Sequence, residues 1–294
     1  KSSTNHRTNL PQITENCKKV LVVRNIYINF APKNYDNMAE YKKRISDRIL
    51  KRKVQGKGAV LIEGPKWCGK TTTAKQLANS VLDLGNSTVL MQSRQMIEIS
   101  HKVLLDGDTP RLIDEWQALP PIWDSIRSEV DSRGEPSQFI LTGSSVLPEA
   151  NTLIHSGTGR FGHIRMRPMS LFESGESSGE VSLLDLFENR PLELQRNNLD
   201  INDIAFLTCR GGWPWATLIS KELALDQAFD YVDSVVNSDI LRVDKVRRSP
   251  ERTKLLLRSY ARNISQQISY ATIRKDMLAN DASTLDEDTV ADYI

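Results

Sequence analysis

Apolar residues in this chain gather into short dense runs separated by polar stretches, and the runs are of two kinds. "GAVLIEG", "RLIDE" and "QFILTGSS" are brief, almost wholly apolar and bounded by glycine, charge or small polar residues, which is the pattern of strands buried on both faces. "STVLMQ" is read in the same way. Between them lie segments with helical spacing. One runs from Lys70 to about Leu82, and another is "PPIWDSIRSEVDSRG", opened by proline and closed near Gly134. "RFGHIRMRPMS" supplies a further strand, with His163, Arg165 and Arg167 alternating against Ile164 and Met166. Strand and helix in alternation predict an α/β domain built on a parallel sheet with both faces covered.

The flanks have a different character. Residues 1–38 are polar and lack clear periodicity, apart from a strand candidate from Val20 to Phe30, and are treated as an N-terminal arm. From Ala39 to Val54, Tyr41, Ile45, Ile49 and Leu50 recur at helical spacing, while Lys42, Lys43, Arg44, Arg48, Lys51, Arg52 and Lys53 occupy the other faces. This is a basic amphipathic helix, read first as a solvated face packing its stripe on the next element and second as a nucleic-acid contact. "ESGESSGEVS", Glu173 to Ser182, reads as a loop or linker. After it come helices at Leu183–Glu188, Ile201–Cys209, Trp215–Leu223, Leu225–Leu241 and Pro250–Ile264. The expected division is an arm at 1–38, a core at 39–175, a helical lid at 176–265 and a partial winged helix or helix-turn-helix at 266–294.

Composition narrows the function classes. With 294 residues, 39% hydrophobic and 26% charged, the chain can bury a substantial core, and its formal net charge of +2 gives no global field for nucleic acid or anionic membrane. Cys17, Cys68 and Cys209 form neither a disulfide framework nor zinc-ligand pairs, so a reducing, cytoplasmic setting is expected. His6, His101, His155 and His163 lie at no metal-ligand spacing. "VLVVRNIYINF" is too short and too polar to span a bilayer, and no cleavage site follows it, so neither membrane nor signal peptide is expected.

One segment carries explicit chemistry. Gly64, Pro65, Lys66, Trp67, Cys68, Gly69, Lys70 and Thr71 satisfy G-x-x-x-x-G-K-[ST], with Thr72 following. The glycines let backbone amides close around phosphate oxygens, Lys70 brings a cation to the terminal phosphates, and Thr71 offers a hydroxyl to Mg²⁺. An apolar strand enters the loop and a helix leaves it, which is the context that the motif requires. Cys68, with no histidine nearby to activate it, is read as a small spacer. Downstream, "RLIDEWQ" ends a strand in two acids. Asp114 is the candidate second holder of Mg²⁺, and Glu115 the candidate general base for a lytic water. A small-molecule kinase excludes water and has no use for the second acid, so the pair favours hydrolysis. Thr142 ends another strand and is placed to sense the terminal phosphate or the water, with Ser144 and Ser145 beyond it as helix-capping or phosphate-contacting residues.

The combination "GPKWCGKT", "RLIDEWQ", "FILTGSS", "HSGTGRFG" and "MRPMSLFES" resembles the AAA-like, archaeal-type ATPase family of bacteria and archaea, from about Tyr41 to the end. The resemblance implies a P-loop core with a five-stranded parallel sheet, a helical lid and a winged helix, usually followed by a nuclease-like domain. It implies ATP, rather than GTP, with Mg²⁺. It places Thr142 at the sensor position and makes Arg160 the leading candidate for an arginine finger donated across a subunit boundary of a homo-oligomer, with Arg165 and Arg167 as rivals. "CRGGWPWATLIS" resembles the lid element of signalling ATPases whose proline packs on adenine, which would turn Pro214 toward the base; a helix stop and restart explains the same letters. From Tyr270, "ATIRKDMLAN" and "STLDEDTVADYI" read as two helices, with Ser283 and Asp286 as a capping box. The second of them is acidic, which disfavours a DNA contact by that face. Family members continue beyond this point, so the sequence is expected to be a shortened one. The leading expectation is an Mg²⁺-dependent ATP hydrolase whose turnover moves the lid against the core. The alternatives are a nucleotide-gated interaction switch holding ATP or ADP for an unknown protein partner, and a DNA-associated ATPase.

Overall fold

The computed structural model describes residues 41–144, 157–191, 198–240, 249–279 and 290–291. The arm at 1–38, Ser145, Ser283 and Asp286 lie outside them.

Five strands, β1 (Ala59–Gly64), β2 (Ser80–Asp83), β3 (Arg111–Asp114), β4 (Phe139–Ser144) and β5 (Phe161–Arg165), form one sheet of order β2-β3-β4-β1-β5. Every pairing is parallel. The two-residue alternation of a strand sends its side chains to opposite sides. In β1, Ala59 and Leu61 join Ile113, Phe139, Leu141, Trp116 and Trp123 on one face. Val60 and Ile62 join Leu112, Ile140, Leu50, Val54 and Ala74 on the other. Because both faces are covered, the strands are nearly continuous in apolar residues, which is why they stood out in the sequence. At roughly 1.5–3 kcal/mol for each fully buried large aliphatic side chain, these two clusters are the main source of stability.

The helices are α1 (Ile45–Gly56), α2 (Lys70–Lys75), α3 (Ser87–Ile99), α4 (His101–Leu105), α5 (Ile122–Arg133), α6 (Leu171–Ser174), α7 (Leu183–Phe187), α8 (Ile201–Arg210), α9 (Lys221–Ser234), α10 (Pro250–Arg262) and α11 (Tyr270–Leu278). The α/β core with its five-stranded parallel sheet, followed by a helical region, is the architecture that the alternation and the resemblance led us to expect.

Four local readings are corrected. "STVLMQ" opens α3 and is not a strand. The Asn86 side chain accepts hydrogen bonds from the Thr88 and Val89 amides at 3.0 and 3.3 Å, capping a helix whose Val89, Leu90, Met96 and Ile97 pack on the core. The strand is the shorter "SVLD" just before it, an edge strand with Val81 41% exposed. The helix leaving the glycine loop therefore stops at Lys75 rather than near Leu82. In α1 the buried stripe is Leu50 and Val54, whereas Ile45 and Ile49 are exposed, Tyr41 precedes the helix, and Arg44 is buried rather than on a solvated basic face. Finally, Trp215 begins only a short turn of helix, Trp215–Thr217. Ser220 then caps α9, which continues as a π-helical turn over Val235–Asp239.

The helical region meets the core through backbone. Met169 N donates to Gly212 O at 2.6 Å, and a β-carbon on Gly212 would stand 2.1 Å from Met169 O, so only glycine permits this approach. Leu256, Ile273, Met277 and Val290 form a separate small core around α10 and α11.

Candidate functional site

In a parallel sheet all C-terminal strand ends lie along one edge. Here the register aligns Gly64 with Ser144, and Asp114 with Thr142 and Asp83. The loop leaving β1, the β3 acid and the β4 threonine are thus brought together by topology.

Gly64 is required for a close approach, since a β-carbon there would sit 2.2 Å from the Met166 carbonyl oxygen. Gly69, at φ +99, makes the left-handed turn into α2. Lys70 is buried, and its ammonium donates to the Gly64 and Pro65 carbonyls at 2.9 and 2.8 Å, spanning the mouth of the loop. Trp67 is 68% exposed at the loop tip, and Thr72 is exposed at the start of α2. Cys68 is buried with Sγ 3.8 Å from Met166 O; burial, opposed by the Lys70 and Arg44 charges, pushes its thiol pKa up. A thiol so placed is a packing group.

Thr71 Oγ1 donates to Asp114 Oδ1 at 2.9 Å, and Thr142 Oγ1, fully buried, donates to the same carboxylate oxygen. A hydroxyl and a carboxylate at hydrogen-bonding distance on the loop's side of the sheet are hard oxygen donors, a set that suits Mg²⁺. Glu115 follows in a left-handed conformation, φ +53, and its carboxylate accepts from the Gln117 side-chain amide. The turn is held by Trp116, buried against Trp123 with ring centroids 4.9 Å apart. Gly143 lets this turn reach β4, because a β-carbon there would meet Gln117 Oε1 at 2.4 Å and Trp116 Nε1 at 3.0 Å.

Among the described residues, the helical region comes near the loop at Lys66 and at Gly69. Lys66 Nζ lies 2.5 Å from Asp239 Oδ1, and Pro214 Cγ would stand 3.5 Å from a β-carbon on Gly69. Arg160, by contrast, precedes β5 at the other edge of the sheet, where its Nε lies 2.5 Å from Asp131 Oδ1. Among its contacts with described residues, none is with the loop of its own chain. Arg165 is exposed at the C-terminal end of β5, in register with Glu63; Arg167 is exposed just beyond it.

Arg44 escaped the sequence reading. Its guanidinium is buried against the loop, donating to Cys68 O at 2.7 Å, Arg167 O at 2.8 Å and Glu173 Oε1 at 3.0 Å. Nothing separates it by letter from its lysine and arginine neighbours. Burial on its own would raise the Glu173 pKa, but hydrogen bonds from the Ser170 and Ile45 amides and from Arg44 outweigh it and hold the carboxyl below its ordinary value.

Sheet order, glycine loop and threonine–aspartate pair form a P-loop-like α/β core. Residues 56–174 match the model of the AAA_14 family, described as an AAA domain, and residues 201–294 match a domain of unknown function, DUF8612. No curated protein matches the sequence. A solved Walker-type ATPase of Pyrococcus abyssi is similar over 86% of this chain and 88% of its own, with TM-score 0.50 and 13% identity, a likeness of fold. A RuvB variant of Thermotoga maritima aligns over 84% and 82% of the two chains with TM-score 0.31 and 16% identity. Among the described residues, no helix is long and apolar enough to cross a membrane.

Proposed function

We propose that this chain binds ATP with Mg²⁺ in the loop from Gly64 to Thr72 and hydrolyses it, using the change at the terminal phosphate to move the helical region against the core. The observation that carries the reading is the convergence of the Thr71 and Thr142 hydroxyls on Asp114 Oδ1, with the Lys70 ammonium buried against the carbonyls of the same loop.

Lys70 would exchange its loop carbonyls for β and γ phosphate oxygens, and the loop amides would hold the same oxygens. Thr71 and Asp114 would hold the divalent ion, which supplies neutralisation of charge on those oxygens. Thr142 keeps the Asp114 carboxylate turned toward the site and gives way when the oxygens shift. Glu115, once released by Gln117, would orient a water and take its proton at the carboxylate. Pro214, beside Gly69, would border the base, and Arg160 would serve a neighbouring copy in a homo-oligomer. Lys66 and Asp239 join the loop to the helical region, so a displaced loop is felt there.

The test is Glu115→Gln. ATP binding should be retained while phosphate release falls by about 100-fold or more, the usual contribution of a positioned base. Equal release in variant and parent would remove Glu115 from that role.

A second reading, a switch that holds nucleotide with little turnover, is favoured by the same Gln117 contact, which engages the Glu115 carboxylate within its own turn. ADP retained through purification, together with negligible phosphate release, would select it.

A further inference from the structure

Before α1 the chain crosses behind the glycine loop as a strap. Tyr41 Oη lies 3.0 Å from Thr73 Oγ1 in α2 and donates to Asp47 at 2.7 Å, and Lys42 Nζ donates to Ser174 O at 3.0 Å. Arg44 then reaches beneath the loop. Its planar fork meets three segments at once: the loop at Cys68 O, the chain after β5 at Arg167 O, and α6 at Glu173. The Arg44 and Glu173 side chains are 4% and 7% exposed, and Glu173 also accepts from Ile45 N at 2.7 Å and Ser170 N at 2.8 Å. A guanidinium that far from water, with its donors spread over two backbone carbonyls and one carboxylate, is expensive to place unless the geometry is nearly complete.

Its consequence lies in one peptide unit. A peptide is planar and trans, so the C=O of Cys68 and the N–H of Gly69 point in opposite directions. Anchoring Cys68 O on Arg44 therefore turns the Gly69 amide away from the guanidinium, toward the interior of the loop. Glycine suits position 69, which has φ +99, and a β-carbon there would stand 3.1 Å from Arg44 Nη1, tighter than an ordinary contact.

We propose that Arg44, locked by Glu173, is a positioning residue that holds the phosphate loop in its anion-accepting shape, so that this buried pair sets nucleotide affinity from behind the loop. The inference rests on the ATP-binding reading above. Lysine keeps the charge but cannot span the three acceptors.

Calorimetric titration of MgATP into the full chain, with KM and kcat for phosphate release, provides the test. Arg44→Lys should weaken ATP binding by about 10- to 100-fold, the loss of a charge-assisted hydrogen bond, and should act on KM more than on kcat. Glu173→Gln should weaken it less. The double variant should bind no worse than Arg44→Lys, since both changes act through one guanidinium. Added guanidinium ion at millimolar concentration should restore part of the affinity of Arg44→Ala. Folded Arg44→Lys that binds within twofold of the parent would overturn the proposal, as would losses that simply add. If Arg44→Lys does not fold, Glu173→Gln decides, and parent-like affinity in that folded variant is equally fatal. A parent chain that binds no MgATP would instead sink the functional reading itself.

Discussion

Thr142→Val asks how much depends on a single hydroxyl. Thr142 has no exposed surface, and valine reproduces its shape, so the change withdraws one donor from Asp114 Oδ1 and little else. A hydrogen bond to a charged group contributes about 1.5–3 kcal/mol, and Thr71 remains as the second hydroxyl donor to that oxygen. In a chain of this size 1 kcal/mol moves the midpoint by about 2–4 °C, so thermal unfolding without nucleotide should shift down by about 3–12 °C. Phosphate release should fall by about 10- to 100-fold, because the freed carboxylate is the candidate ion ligand and partners that orient such ligands are worth that much. Thr142→Ser keeps the donor and should keep most of the release despite its lost methyl. Circular dichroism melting and a colorimetric phosphate assay measure both quantities. A valine variant melting within 1 °C of the parent and releasing phosphate within about twofold of it would refute the argument that Thr142 holds Asp114 in place.

Two further outcomes follow from the packing. Gly212→Ala would drive a β-carbon to 2.1 Å from Met169 O and break the Met169–Gly212 hydrogen bond, so the denaturation midpoint should fall by the equivalent of about 1–3 kcal/mol, and an unchanged midpoint would refute the close docking of the helical region. The Glu173 carboxyl is held below its ordinary value of 4.5, so its stabilising contribution is complete above pH 4.5 and is lost as pH falls through its lower folded value. The stability difference between the parent and Glu173→Gln should accordingly shrink on acidification below that pH, and a constant difference would deny the ion pair its assigned share.

What could be read in advance depended on whether a signal was local. The glycine loop stood out because its pattern fixes particular residues at nearby positions, and Asp114 because it closes a strand buried on both faces; Thr142, expected at a strand end, lies inside β4, which runs on to Ser144. "STVLMQ" was misread because a short apolar run has no measurable period, whereas its distinguishing feature, the Asn86 cap, lies just ahead of it. Arg44 was illegible because its partners lie 24, 123 and 129 residues away, and burial by distant partners leaves no mark on neighbouring letters. Arg160 precedes β5, whereas the glycine loop follows β1. In a parallel sheet, a residue before one strand and a loop after another must occupy opposite edges. The proximity of Pro214 to Gly69 depends on how the helical region docks, which Gly212 permits but does not announce.

The central claim is that the loop between Gly64 and Thr72 accepts a nucleotide triphosphate with Lys70 as its buried cation. Calorimetric titration of MgATP into the parent chain and into folded Lys70→Ala tests it most directly. The account predicts a single saturable site in the parent and affinity weaker by about 100-fold in the variant. Absence of binding to the parent, or equal binding to both, would contradict it.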